Sequence, residues 1–357
     1  MISKDTLQPE WINKVSAENR KADKILIEKI IHAMLLLEGL AQSGLSFVFK
    51  GGTAVMLLQK IPKRFSIDID IIIPEKADFD GLFAKFIQAK GFTKFEVQKR
   101  NISSKIDKLH YKFFYTPAYQ KNIPEDNILL DILIESSQYK NLIPTDIDLP
   151  FVRQDGAPVT VNIPSKEDIL GDKLTAFAPN TTGIPYQKSG FSMAMEIIKQ
   201  LYDIGNLFEE ISDIKAVAQT FKKIAQTEMK YRNLPGDEKI VLNDILATTL
   251  CLATRGKAGE GDFEALQNGI SQIRAYIFSE SHHIEKAIVH AARAAYLAKL
   301  IETGETNLVR FGNAQQITDW QIEAPLDTRL NKLRKSNPEA FFYWYQVYLL
   351  REKAGGE

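Results

Sequence analysis

The sequence predicts an α/β or α+β fold, in which a small mixed β-sheet is followed by a helical C-terminal half. Short apolar or alternating segments, typical of strands, fall before residue 135,. From residue 209 to the end, nearly every segment instead has the periodicity of an amphipathic or buried helix,. We therefore expect one domain over residues 1–164 and a second, helical domain over residues 165–357 that closes a cleft.

The composition is that of an ordinary globular protein without a dominant charge. Of 357 residues 45% are hydrophobic, and 45 Lys and Arg side chains balance 45 Asp and Glu side chains. That balance gives no global positive field of the kind that attracts nucleic acids. The single cysteine, Cys251, excludes an internal disulfide,. With no signal-peptide core and no run of about 18 apolar residues, the sequence predicts a cytoplasmic protein without membrane contact.

The first elements in order are a helix, a strand and a glycine turn. Residues 22–42 have a broad apolar helical face, and Phe47–Phe49 is a short apolar strand,. The turn Lys50-Gly51-Gly52-Thr53 leads into a short apolar helix over residues 54–58. Two glycines after a strand allow positive φ and let backbone amides approach an anion. We expect Thr53 to cap this helix, whose positive end would then face the same anion. A Gly-Gly turn by itself, however, is more often only a turn.

The next strand carries two aspartates. Side chains alternate along a strand, so Asp68 and Asp70 share one face while Ile67, Ile69 and Ile71 take the other,. Carboxylates about 7 Å apart on one strand face suit one or two hard cations. By itself an Asp-x-Asp pair often lies on a solvated face. An anion-binding turn followed closely by a metal-binding pair is what nucleotide chemistry requires.

The two motifs together resemble the nucleotidyltransferase superfamily, and most closely the AbiEii/AbiGii toxin family (DUF1814-like). They are FKGGTA at residues 49–54 and RFSIDID at residues 64–70. The family commonly has Glu where this chain has Ile67. The resemblance implies that residues 1–164 form a nucleotidyltransferase core with an N-terminal helix. It further implies Mg²⁺ or Mn²⁺ at Asp68 and Asp70, and an NTP substrate contacted by Lys50, Gly51, Gly52, Thr53 and Ser66.

A later strand, Ile128–Ile134, is the most apolar in the chain and has Asp131 at its centre. An ionised carboxylate is costly to bury without a partner, so a cation, a metal or a solvated sheet end must accommodate it. The resemblance implies that this strand lies beside the Asp68/Asp70 strand, which would make Asp131 the third metal-binding and catalytic carboxylate. Spacing alone does not establish that adjacency. A second Asp-x-Asp, Asp146 to Asp148, has no glycine turn upstream, and we interpret it as a loop,.

Two helical segments carry the remaining candidates. Lys173 borders the apolar stripe of a helix over residues 165–177, where it either snorkels or contacts phosphate,. The segment DKLTA, residues 172–176, is similar to a family motif, which implies that Lys173 contacts the nucleotide phosphates and acts in catalysis. Lys199 and Asp203 are four residues apart on the next helix and fit an exposed ion pair. The segment KQLYDI, residues 199–204, resembles another family motif and makes Asp203 a catalytic candidate that orients Lys173 or the acceptor. The chain departs from that motif at Lys199 and Gln200.

The rest of the helical half offers weaker signals. A loop over residues 178–190 is long enough to be a mobile lid,. His282, His283 and His290 suggest zinc, but we expect the first two to point to different sides of a helix, so no site forms. The aromatic run from Phe341 to Tyr348 is expected to be core rather than an RNA-stacking surface.

The sequence thus predicts nucleotidyl transfer from an NTP to an acceptor. The resemblance suggests a toxin of a toxin–antitoxin or abortive-infection system, with a cognate antitoxin as partner and RNA, specifically a tRNA 3′ end, as acceptor. One alternative is a small-molecule or protein nucleotidyltransferase, such as an antibiotic-modifying or AMP-transferring enzyme. Another is a non-catalytic nucleotide-binding module, which would have no need for three clustered carboxylates.

Overall fold

The computed structural model describes residues 1–59, 61–98, 107–120 and 122–355. The chain divides into two compact units. The first comprises Met1–Ser165 together with Ala275–Ser281, and the second comprises Lys166–Arg274 together with His282–Glu357. Within the described ranges, every helix is too short or too polar to cross a lipid bilayer.

The first unit is built on a mixed five-stranded sheet, which confirms the predicted fold class. Its strands are β1 (Val48–Lys50), β2 (Ile69–Ile73), β3 (Lys94–Val97), β4 (Lys108–Tyr115) and β5 (Asp126–Ile134). They lie side by side in the order β1-β2-β5-β4-β3, and β2 and β5 are parallel while the other neighbours are antiparallel. The predicted strand Phe95–Lys99 overlaps β3, but Lys99 lies outside the described residues.

Four helices complete this part of the first unit: α1 (Pro9–Glu18), α2 (Lys24–Gln42), α3 (Gly51–Leu58) and α4 (Phe79–Ala84). Asp23 caps α2 by accepting a 2.7 Å hydrogen bond from the backbone amide of Ile25,. Helix α2 is mostly buried and carries three buried polar side chains, Glu28, His32 and Glu38. Helix α4 was predicted to run to Gly91 but ends at Ala84.

Two of the three buried polar groups of α2 have polar partners, whereas His32 packs against an aromatic ring and its buried Nδ1 has no hydrogen-bond partner among the described residues. Glu28 accepts hydrogen bonds from the backbone amides of residues 118 and 119. Glu38 pairs with Lys90. The ring of His32 stacks on Tyr115, with the ring centroids 3.7 Å apart. The contacts of Glu28 and His32 tie α2 to β4 and to the chain beyond it, and the Glu38 contact ties α2 to the segment before β3. The partners of the two carboxylates offset the cost of burying them.

A two-stranded ribbon and a distant segment complete the first unit. The ribbon pairs β6 (Leu142–Asp146) with β7 (Thr160–Pro164). Asp146 is therefore the last residue of a strand, where its carboxylate accepts a 2.8 Å hydrogen bond from Thr160, and the predicted loop begins only after it. The segment 275–281 joins this unit because the backbone amide of Phe65 donates to the carbonyl of Tyr276 at 2.8 Å.

The second unit is helical, as predicted. Its helices are α5 (Lys166–Ala176), α6 (Ala194–Leu207), α7 (Ile214–Arg232), α8 (Lys239–Ala253), α9 (Phe263–Ile273), α10 (Ile284–Thr303), α11 (Leu333–Ser336) and α12 (Pro338–Gly355). Helix α10 packs against α6, α8 and α12, and α5 packs against α6 and α7. A hairpin of β8 (Gln187–Lys188) and β9 (Phe191–Ser192) occupies part of the predicted loop, so α6 begins three residues later than the predicted helix at Phe191.

Two smaller expectations for the second unit have mixed outcomes. His282 and His283 precede α10 instead of lying inside it, and the ring of His282 stacks on that of His290 with the centroids 5.7 Å apart. Among the described residues, no group of three His, Cys, Asp or Glu side chains is arranged to hold a metal ion. In the aromatic run of α12, Phe341, Phe342, Tyr343 and Trp344 are buried as expected, whereas Tyr345 and Tyr348 are partly exposed.

Candidate active site

The two glycines of the turn lie against polar side chains of strand β2 and of the segment just before it. Strand β1 ends at Lys50 and α3 begins at Gly51, whose φ is +84°. A β-carbon at Gly51 would overlap the Asp70 carboxylate. At Gly52 it would lie 2.6 Å from Ser66 Oγ and 2.7 Å from a guanidinium nitrogen of Arg64. Position 51 therefore requires glycine, also because a side chain at positive φ is strained, whereas a side chain at position 52 would require Ser66 and Arg64 to shift,.

Thr53 has a different role from the predicted helix cap. The N-cap residue of α3 is Lys50, in an extended conformation, and Thr53 lies inside the helix. Its hydroxyl donates a 2.6 Å hydrogen bond to the backbone carbonyl of Asp68. This bond ties α3 to the residue just before β2, so that the glycine turn and the first aspartate are fixed relative to each other. The prediction of Thr53 as a cap was wrong because α3 begins at Gly51, two residues before Thr53.

The sheet register brings polar residues of four strands into one row. Lys50 on β1 pairs with Asp70 on β2, and Asp70 pairs with Asp131 on β5. Asp131 in turn pairs with His110 on β4. Residues that pair directly across neighbouring strands project to the same face and lie about 5 Å apart. The strand of Asp131 thus lies beside that of Asp70, as the resemblance implied.

His110 is a member of this row that the sequence did not identify. Its Nδ1 donates a 2.7 Å hydrogen bond to Oδ1 of Asp131, and 12% of the His110 side chain is exposed against 41% of Asp131. The other carboxylate oxygen of Asp131, Oδ2, does not take part in this bond with His110. Alternation along β4 places the side chain of His110 on the other face of the sheet from its apolar neighbours in sequence. This pattern was the only sequence signal that could have identified His110 as a site residue. Its partner depends on strand order, which alternation does not reveal.

The donor set of the row suits a hard divalent cation. Carboxylate oxygens are the ligands that Mg²⁺ prefers, and Mg²⁺ commonly uses one or two protein carboxylates together with substrate phosphates. Asp70 and Asp131 are such a pair, and Asp68 precedes Asp70 by two residues with its side chain exposed. In the described ranges these groups do not form a three-ligand cage. A site completed by a triphosphate is consistent with that arrangement.

The second unit holds the other two predicted site residues, Lys173 on α5 and Asp203 on α6, in direct contact. Nζ of Lys173 lies 2.8 Å from Oδ2 of Asp203, and their side chains are only 7% and 4% exposed. Lys173 also donates a 2.9 Å hydrogen bond to Oε1 of Gln200. The ammonium is therefore buried and ion-paired, so it does not snorkel. Asp203, for its part, is not the exposed group that its spacing from Lys199 suggested.

Around the first sheet, the structure groups eight of the predicted site residues: Lys50, Gly51, Gly52, Thr53, Ser66, Asp68, Asp70 and Asp131. A glycine turn packed on paired carboxylates has the parts that a nucleotide-transferring enzyme needs. The model of the nucleotidyl transferase AbiEii toxin family, of type IV toxin–antitoxin systems, matches residues 35–310. The chain belongs to this nucleotidyltransferase family. No curated protein sequence matches the chain.

Two solved structures resemble the chain at low sequence identity. One is a candidate nucleotidyltransferase from H. pylori, which is 16% identical, has a TM-score of 0.45, and aligns over 80% of this chain and 100% of its own. The other is MenT4, a nucleotidyltransferase toxin from Mycobacterium tuberculosis, which is 13% identical with a TM-score of 0.49 over 96% of this chain and 99% of its own. Both TM-scores are below 0.5, so membership of the family rests on the sequence match.

Proposed function

We propose that this chain is a toxin that transfers a nucleoside monophosphate from an NTP to a hydroxyl group of RNA, with the 3′ end of tRNA as the preferred acceptor. The observation that supports it best is the pairing of Asp70 with Asp131 across parallel strands, directly against the Gly51 turn. Few other functions require two carboxylates and an anion-binding turn at one point of a sheet.

In the proposed reaction, the hydroxyl oxygen of the acceptor attacks the α-phosphorus of the NTP. A new P–O bond forms, the bond from the α-phosphorus to the bridging oxygen of the β-phosphate breaks, and pyrophosphate leaves with that electron pair. The hydroxyl proton passes to the carboxylate of Asp131, whose orientation His110 fixes through Nδ1,. Two products result, an RNA longer by one nucleotide and pyrophosphate.

The triphosphate is held by backbone and by positive charge. The amides at Gly51, Gly52 and Thr53 lie at the start of α3, where the helix dipole favours an anion, and Lys50 immediately precedes them,. Ser66, whose hydroxyl lies against Gly52, supplies a further donor beside the turn. Lys173, held by Asp203, neutralises charge that develops on the phosphates in the transition state,.

Asp68, Asp70 and Asp131 would hold Mg²⁺ or Mn²⁺ together with the triphosphate. When bound, the cation supplies neutralisation of phosphate charge and lowers the pKa of the attacking hydroxyl. The protein's contribution is to fix the carboxylates: sheet pairing sets Asp70 beside Asp131, and the Thr53 hydroxyl holds the backbone of Asp68.

Charge balance favours a structured acceptor. The chain carries as many acidic as basic side chains, so binding to any polyanion without local docking would be weak,. A folded RNA with a free single-stranded end, such as tRNA, offers both a shape to dock and an accessible hydroxyl. A cognate antitoxin would oppose this activity in the cell.

The acceptor is tested by incubating the purified protein with α-labelled NTPs, Mg²⁺ and, separately, total RNA, cell protein and a small-molecule extract. We expect the label in nuclease-sensitive material that migrates as tRNA. Label confined to protein or to small molecules would contradict the RNA acceptor and favour the other transferase classes. In bacteria, expression of the wild type should arrest growth, whereas Asp70→Asn at equal soluble expression should not.

A further inference from the structure

A cavity of about 470 Å³ lies within the second unit and is lined by residues of α8, α10 and α12. Much of its lining is apolar and includes Leu246, Leu250 and Val347 together with Trp344. Val347 and Trp344 are almost fully buried, at 3% and 1% exposed. A cavity of this size, with apolar walls and a few polar groups, is typical of sites that bind small organic molecules.

One wall of this cavity is held in place by backbone contacts. In the segment between α8 and α9, the amide of Glu260 donates a 3.2 Å hydrogen bond to the carbonyl of Ala247 on α8. The preceding residue, Gly259, has a φ of +80°, and a β-carbon there would lie 2.3 Å from the same carbonyl oxygen. Only glycine permits so close an approach at positive φ. This wall is therefore a fixed feature of the fold, because it cannot move without losing its contacts to α8.

Two residues that line the cavity carry buried hydrogen-bond donors. The indole Nε1 of Trp344 is buried and has no hydrogen-bond partner among the described residues. The side chain of Lys299 on α10 is only 10% exposed, and its Nζ donates to Oε2 of Glu302 at 2.8 Å. An ammonium has three N–H groups, so this ion pair directs one of them. Because a buried donor without an acceptor is costly, both residues favour a ligand that brings acceptor oxygens.

The charges around the cavity favour an anionic group on that ligand. Lys299 is the most buried charge, and Arg351 adds an exposed cation. Of the two acidic residues, Glu302 is already paired with Lys299, and Glu260 is exposed, so water screens its charge,. A carboxylate has two acceptor oxygens and no donor, and it forms its strongest hydrogen bonds with an ammonium or a guanidinium.

We propose that this cavity binds a small carboxylic acid with an apolar body. The carboxylate pairs with Lys299, and the body packs against Trp344, Leu246 and Val347. The volume of the cavity limits the occupant to a small molecule. The site lies in the second unit alone and does not depend on the proposed function, so a variant without transfer activity is expected to bind the acid equally well.

The test compares three acids whose bodies differ in shape, 4-methylpentanoate, 3-phenylpropanoate and 3-cyclohexylpropanoate, with the primary amide of each. Binding to the full chain is measured by calorimetry. At least one acid is expected to bind with a Kd of about 1 mM or below, and about tenfold or more tightly than its amide. The double variant Trp11→Phe/Trp320→Phe retains Trp344 as its single tryptophan, and its emission should change when the acid binds.

Lys299→Met keeps the length of the side chain and removes the cation, so it is expected to abolish the preference for acid over amide. The matched control is Lys239→Met, the same change at the exposed start of α8, which should bind like the wild type. If Lys299→Met fails to fold, as judged by thermal melting, Lys299→Met/Glu302→Gln carries the test, because it leaves neither charge of the ion pair.

Three results would overturn the proposal. The first is that none of the three acids binds the wild type at about 10 mM, or that acid and amide bind equally. The second is that the preference for the acid is unchanged without the Lys299 cation, or is lost equally in the Lys239→Met control. The third is an acid that binds without changing the emission of Trp344, because such an acid occupies another part of the molecule.

Discussion

Removing the Lys173 cation should destabilise the second unit as well as impair catalysis. Lys173 and Asp203 lie 2.8 Å apart with side chains 7% and 4% exposed, so Lys173→Met leaves the Asp203 carboxylate buried without this cation. Breaking a buried ion pair in this way costs about 3–5 kcal/mol, far more than the pair contributes when intact. Urea unfolding at neutral pH should therefore show a loss of free energy of unfolding of that size.

The double variant Lys173→Met/Asp203→Asn separates charge from packing. Because it removes both charges, it should recover at least half of the loss in free energy of unfolding. The exposed pair Lys14–Glu18, with side chains 60% exposed and a separation of 3.9 Å, is the control, and Lys14→Met should cost no more than about 1 kcal/mol,. A cost below 1 kcal/mol for Lys173→Met, or a double variant no more stable than the single variants, would refute the reasoning.

Three further predictions concern the first unit. Gly51→Ala should lower the free energy of unfolding by about 1–3 kcal/mol and abolish transfer, because φ is +84° and the methyl group overlaps Asp70,; a fully active variant in denaturation and transfer assays would contradict this. His110→Phe should weaken Mn²⁺ binding about tenfold in an equilibrium titration, whereas His110→Asn, which keeps a donor, should lose less,. Burial lowers the pKa of His32 from its ordinary 6.5 to about 3. As the pH drops below 6.5, His32 therefore takes up a proton in the unfolded chain but not in the folded one, and the free energy of unfolding should fall. That loss should reach about 1.4 kcal/mol per pH unit and be smaller in His32→Phe, and equal slopes between pH 6.5 and 5 would be inconsistent with it.

Local sequence was sufficient for the turn and for the strands of the sheet. The order strand, glycine turn, helix and strand follows from Gly51, Gly52 and the alternation around Asp70, because these features act within a few residues. The pairing of β2 with β5 was available only from the family resemblance. Parallel strands are joined by a long connection, and no local pattern specifies which strand becomes the neighbour.

The sequence analysis missed other features of the site for the same reason, because local patterns do not specify contacts between elements that are distant in the sequence. His110 was overlooked because its partner Asp131 lies on another strand, and alternation assigns only a face. Helical spacing alone suggests that Asp203 pairs with Lys199, four residues away, whereas the structure pairs it with Lys173 on a different helix,. Only the family resemblance had connected Asp203 with Lys173. The helix start was misplaced because Thr53 is a favourable cap by residue type, yet its hydroxyl bonds to the Asp68 carbonyl.

The central claim is that the Asp70–Asp131 pair supports transfer of a nucleoside monophosphate. It is tested most directly by comparing NTPs labelled at the α-phosphate with NTPs labelled at the γ-phosphate, each incubated with the purified protein, Mg²⁺ and tRNA. Wild type, Asp70→Asn and the control Asp146→Asn are measured together, since Asp146 supplies the same change on the exposed ribbon.

We predict that the α-label enters RNA while the γ-label is released as pyrophosphate. The rate with Asp146→Asn should equal that of the wild type, and Asp70→Asn should reduce it by at least about a hundredfold, comparable to removing a principal electrostatic contact to the transition state. Incorporation of the γ-label, or equal rates for wild type and Asp70→Asn, would contradict the account.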